Sequence, residues 1–91
     1  MKKRIEILIG VLILSMVFFT ACTSKAAKAV EKVELGQKYL TELNYTEAVA
    51  SFTEAIGLDP ENIPAYMGRA EAYVGLKQYD DAKADYTTAI E

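Results

Sequence analysis

Residues 29–57 laid over residues 63–91 match without a gap, and this 34-residue period restricts the fold more than any other feature of the chain. Seven pairs are identical: Tyr39 with Tyr73, Tyr45 with Tyr79, Ala48 with Ala82, Ala50 with Ala84, Thr53 with Thr87, Ala55 with Ala89, and Ile56 with Ile90. Phe52 falls on Tyr86, a close eighth. Small and aromatic residues returning at fixed offsets with this period signal stacked helical hairpins, since one hairpin is unable to bury its apolar face alone.

The residue types agree with that reading. Antiparallel helices approach to about 8–10 Å where small side chains occupy the contact. Gly36, Ala48, Ala55, Ala70, Ala82 and Ala89 supply them, and Tyr39, Phe52, Tyr73 and Tyr86 fill the space beside them. Apolar positions recur at helical spacing through Tyr45, Ala48, Val49, Phe52, Ala55 and Ile56 and again from Tyr79 to Ile90. Helices are predicted near 25–41, 45–58, 63–75 and 79–91. Asn44 followed by Glu47 reads as a capping pair. Pro60 ends the second helix by disfavouring helical backbone at Asp59. Pro64 suits the first turn of the third.

The offsets resemble the tetratricopeptide repeat family. In the first unit Leu35, Gly36, Tyr39, Ala48, Phe52, Ala55 and Pro60 fall on family positions. In the second they are Tyr66, Ala70, Tyr73, Ala82, Tyr86 and Ala89. Lys32 stands where the family prefers a large aromatic, and Arg69 where it prefers Leu. The resemblance implies an all-α fold of two tandem antiparallel hairpins in a right-handed stack, with unit one over 29–62 and unit two, incomplete at its C-terminal end, over 63–91. It also implies a concave groove made by the first helix of each hairpin. On family positions that groove carries Val33, Gln37, Leu40 and Thr41 from unit one, and Met67, Glu71, Val74 and Gly75 from unit two. This apolar strip with two polar handles suits an apolar peptide or a partner helix. Some family members clamp a terminal carboxylate with cationic side chains. Val33, Gln37 and Gly68 occupy clamp positions here, so the clamp is missing and a cytosolic chaperone-adaptor role is not expected.

Ahead of the repeats lies an address. Lys2, Lys3 and Arg4 precede the largely apolar run Ile7–Phe19, which small residues follow. That is the layout of a secretory signal peptide, expected over 1–21. The 13-residue run falls short of the roughly 20 apolar residues that span a bilayer. Phe19-Thr20-Ala21-Cys22 resembles the lipobox of bacterial lipoproteins, in which the cysteine sulfur receives a diacylglycerol before cleavage. Phe19 departs from the usual aliphatic residue. Two or more acyl chains give stable anchoring where one does not. Residues 22–28 then read as a lipidated Cys22 and tether, and Lys25, Lys28 and Lys32 are placed to lean on anionic headgroups.

Composition removes several functions. There is no His and one Cys, which excludes His general bases, Cys-His catalysis and Cys/His zinc sites. From Cys22 onward 7 basic and 12 acidic residues leave −5, which argues against nucleic acid as a partner. Glycine-rich phosphate loops are absent from the sequence. Asp80, Asp81 and Asp85 suggest a cation site, but a helix start favoured by the dipole, with a solvated face, explains them better. No cofactor and no catalysis are expected. The expected function is a lipid-anchored protein-interaction module on the outer side of a bacterial cell membrane, or at the outer membrane of a two-membrane host. The alternatives are a docking arm of a longer envelope enzyme or wall-binding protein, and a self-assembling homodimer that buries the open hairpin ends.

Overall fold

The computed structural model describes residues 25–91, so the readings made for the leader, for Cys22 and for the start of the tether lie outside the described residues. Residues 25–41 are helical (α1). They are followed by α2 (Tyr45–Leu58), α3 (Ile63–Gly75) and α4 (Tyr79–Ile90). The described residues contain no strand. Helices α1 and α2 form one hairpin, α3 and α4 a second, and α2 packs against α3 so that the hairpins stack. The all-α arrangement expected from the period is the one observed. No described helix is long and apolar enough to cross a membrane.

The turns inside the two hairpins are built alike. Leu43 and Lys77, 34 residues apart, both adopt left-handed backbone, with φ of 58° and 62°. At the first turn the Leu43 N–H donates to Leu40 O at 3.0 Å and the Asn44 N–H to Tyr39 O at 2.8 Å. At the second, Lys77 N–H donates to Val74 O at 3.0 Å and Gln78 N–H to Tyr73 O at 2.8 Å. Each pair is a Schellman closure, which satisfies the last carbonyls of the helix. Residues with a Cβ take this conformation at a cost of about 1–2 kcal/mol. Lys77→Gly is therefore expected to raise stability by about 0.5–1 kcal/mol, after allowing for the extra freedom glycine gains in the unfolded chain. Urea unfolding checks this, and an unchanged or lower midpoint would contradict it.

The expected Asn44–Glu47 capping box is not formed. Asn44 occupies the N-cap of α2, but its side chain makes no capping hydrogen bond. Its N–H, which the Glu47 side chain was expected to bind, is taken by Tyr39 O. Glu47 remains in the first turn, where the helix dipole favours it. The turn between the hairpins follows expectation. Asp59 is extended ahead of Pro60, Asn62 Oδ1 accepts from the Ala65 N–H at 3.1 Å, and Pro64 lies in the first turn of α3. The Tyr66 hydroxyl donates to Pro60 O at 2.8 Å and ties the turn to the helix.

One ring organises the core. Phe52 on α2 is fully buried between Gly36 of α1 and Gly68 of α3. A Cβ at Gly36 would lie 2.7 Å from the Phe52 ring, and one at Gly68 closer still. Around it Ala48, Ala55, Ala65 and Ala72 are fully buried. Tyr39, Leu40, Tyr45, Val49 and Ile56 pack on the outside of this cluster. Tyr45 lies against Gly75, which has no room for a Cβ. Small residues admit the neighbouring helix and large ones fill the gap, as the period implied. Burying one such aromatic contributes about 1.5–3 kcal/mol.

The second hairpin departs from this pattern at its outer side. Tyr86, the counterpart of Phe52, was expected to fill core space and is 38% exposed. Tyr79 and Ile90, the counterparts of Tyr45 and Ile56, are 62% and 85% exposed. Ala89 is only partly buried. The reason is that α3 covers these positions in the first hairpin, and no described helix lies beyond α4.

An ion pair holds α3 to α4. Arg69 Nε donates to Asp85 Oδ2 and Arg69 Nη2 to Asp85 Oδ1, both at 2.7 Å. Arg69 Nη1 reaches Thr53 Oγ1 at 3.2 Å, so the guanidinium touches three helices. It also lies 5.9 Å from the ring centres of Tyr66 and Tyr73. The hydrogen bonds to Asp85 push Arg69 above its already high range, against burial, which acts the other way. The group is raised in the folded state, so its contribution is present below the unfolded value and is lost only at extreme alkaline pH. Asp85 is 5% exposed, which corrects its assignment to a solvated face. Asp80 and Asp81 are exposed in the first turn of α4, as the dipole reading expects. No group of acidic residues among the described ones is placed to hold a metal ion.

Candidate functional site

The first helix of each hairpin, α1 and α3, forms one wall each of a shallow depression of about 230 Å³. Gln37 and Leu40 line it from α1, and Pro64, Met67, Gly68 and Glu71 from α3. Helical spacing explains the grouping. Pro64, Met67 or Gly68, and Glu71 lie three or four residues apart on one face of α3, and Gln37 and Leu40 three apart on α1. Gly68 lies in the lining, and its Cβ position faces the Phe52 ring on the core side, so its backbone contributes to the floor. Met67 is 50% exposed and offers a flexible apolar wall. Gln37 and Glu71 are exposed polar groups on opposite walls.

Four of the eight groove residues read from the sequence are thus brought together: Gln37, Leu40, Met67 and Glu71. Leu40 is partly buried and also packs on the core. Four are not in the lining, among them Gly75, which lies against the Tyr45 ring. Val33 is 8% exposed and belongs to the core, beside Ala48, Phe52 and Ala55, because α1 is rotated to present it to α2. Thr41 is exposed at the end of α1, where its hydroxyl donates to Lys38 O at 2.6 Å. Val74 is 43% exposed on α3 outside the depression. Pro64 and Gly68 belong to the lining and were not assigned to it. The signal available for them was the four-residue step from Pro64 to Gly68 on one helix face.

The three clamp positions carry no cation in space either, since Val33 is buried, Gln37 is neutral and Gly68 has no side chain. Lys32, expected to face headgroups, has its ammonium 2.8 Å from Glu54 Oε2 across the first hairpin. No acid–base pair or nucleophile lines the depression. Its chemistry is that of contact: an apolar pocket with one carboxylate and one amide.

The tetratricopeptide repeat family matches residues 39–84. This chain belongs to that family. Curated proteins similar to this tetratricopeptide chain are much longer than it. DnaJ homolog subfamily C member 7 of Homo sapiens is 41% identical over 76 residues, which cover 78% of this chain and 15% of that protein. Small glutamine-rich tetratricopeptide repeat-containing protein 2 of Saccharomyces cerevisiae is 39% identical over 64 residues, 70% of this chain and 18% of that protein. Tetratricopeptide repeat protein 28 of Homo sapiens is 34% identical over 59 residues, 65% of this chain and 2% of that protein. The chain therefore spans less than a fifth of the length of these relatives. No solved structure matches it.

Proposed function

We propose that the chain is a lipid-anchored scaffold of the bacterial cell envelope that holds a peptide or partner helix in the depression between α1 and α3. The observation that carries the binding part is the convergence of Leu40, Pro64 and Met67 over Gly68, an open apolar surface with polar rims. Its volume exceeds the ~150 Å³ of an apolar cavity that holds benzene, so one large apolar side chain fits. Met67→Asp tests it, because Met67 is half exposed and the change leaves the core intact. Partner recovery from envelope extracts is expected to fall at least several-fold, and equal recovery would discredit the surface. Leu40→Asp is a weaker test, since Leu40 also packs on the core.

The anchoring part rests on the leader, from the basic Lys2-Lys3-Arg4 through the apolar run to Cys22. Cys22→Ala, or globomycin treatment, is expected to move the protein from the membrane fraction to the soluble one. Unchanged membrane retention would overturn lipid anchoring. Export to the extracytoplasmic side, and outer-membrane sorting in a two-membrane host, belong to the same proposal.

A second reading is favoured by the exposure of Tyr79, Tyr86 and Ile90 on α4. Under it the two hairpins are the docking arm of a longer envelope protein, whose next segment covers that face. A homodimer that continues the stack head to tail fits this face less well. Translation by 34 residues would place Glu34 and Thr41 of the second copy where Gly68 and Gly75 must lie, and neither glycine leaves room for a side chain.

A further inference from the structure

The charge around the depression is one-sided. Glu71 is the only ionised side chain in its lining, set among Leu40, Pro64 and Met67. Glu34, one helical turn before Gln37 on α1, is exposed and lies outside the lining. The two salt bridges among the described residues, Lys32–Glu54 and Arg69–Asp85, involve neither of these carboxylates. Lys38 and Arg69, each next in sequence to a lining residue, lie outside the lining, and Arg69 is paired with Asp85. From Cys22 onward the chain carries −5 in all, so the wider field has the same sign.

We propose that the groove selects a cationic apolar segment: a peptide stretch that inserts one large aliphatic or aromatic side chain over Gly68 and places a Lys or Arg near Glu71. This rests on the groove reading above and adds the sign of the ligand. The physics is that of the interface rim. A lysine beside Glu71 forms a charge-assisted hydrogen bond while the apolar anchor excludes water from one side of it. A glutamate in the same place meets like charge. A partner ending in a free carboxylate is disfavoured for the same reason, since the clamp positions offer it no cation.

The test uses the full chain and fluorescein-labelled synthetic 14-residue peptides with leucine anchors, differing only in whether the flanking positions carry Lys, Gln or Glu. Anisotropy titrations at low and at high salt report affinity. An exposed to half-exposed pair implies that the Lys peptide binds about three- to fivefold tighter than the Gln peptide, with the gap narrowing at high salt. Glu71→Gln is expected to erase the gap, and Glu71→Lys to reverse the order of Lys and Glu peptides. Glu71 is exposed, so neither change threatens the fold. If all peptides bind with one affinity, and binding is lost in Met67→Asp, the sign assignment is wrong while the groove stands. If no peptide binds, or Met67→Asp leaves binding unchanged, the groove reading and this inference fall together. A preference retained in Glu71→Gln overturns the assignment to Glu71.

Discussion

Gly68→Ala is expected to lower stability by about 3 kcal/mol, the upper end of what adding one methyl to a packed core costs. The new Cβ would overlap the tip of the Phe52 ring. The ring has no retreat, because Gly36 lies on its other side with only 2.7 Å between a Cβ there and the nearest ring atom. Relief requires α3 to move away from α2, which exposes Ala65 and Ala72. A core in a domain this small contributes roughly 3–5 kcal/mol of net stability, so the variant should be largely unfolded near room temperature. Gly57→Ala is the control. It makes the same chemical change in α2, where a Cβ meets nothing within 4 Å, and it should stabilise by about 0.5–1 kcal/mol. Helical circular dichroism followed through urea unfolding reads both. Phe52→Leu placed on Gly68→Ala should recover part of the loss by vacating the ring's tip. A Gly68→Ala protein as stable as the parent would show that the ring does not hold the two hairpins together.

Arg69→Leu is the second large effect, with an expected cost of about 3 kcal/mol, although Leu is the residue the family prefers there. The cost arises at Asp85. Its carboxylate keeps 7% side-chain exposure and loses both guanidinium hydrogen bonds at once. An unpaired buried charge costs far more than the pair contributes, so one-sided removal is severe while paired removal is mild. Arg69→Leu combined with Asp85→Ala is therefore expected to return to within about 1 kcal/mol of the parent. The four proteins of this cycle, unfolded in urea, give the coupling directly. Simple additivity of the two single costs would mean that the pair is not the link between α3 and α4. The exposed Lys32–Glu54 pair, by contrast, should contribute well under 1 kcal/mol.

These two effects separate what one dimension records from what three dimensions add. The period of 34 already specified the four helices, because residues at equal offsets repeat the same contacts. It identified Gly36, Ala48, Phe52 and Ala55 as packing residues, and all four are buried. The breaks at Asp59–Pro60 and Pro64 were legible because proline's restrictions are local. Four groove residues were legible because spacing along a helix decides which side chains share a face. Rotation of a helix about its axis was not legible, and it carried Val33 into the core. Tyr86 looked like Phe52 in composition but lacks a helix to cover it. Asn44 and Glu47 had the spacing of a capping box, yet the Schellman turn before them had already claimed the Asn44 N–H.

The sequence by itself determined the helices, the hairpin unit and the small-against-large packing, since these follow from short-range spacing and a repeated pattern. Only the tertiary structure decided that Arg69 meets Asp85, that Gly68 admits the Phe52 ring, and which polar groups rim the depression between α1 and α3. Such pairings depend on how two helices are rotated and offset against each other, and residues 16 apart carry no mark of that angle in their order along the chain.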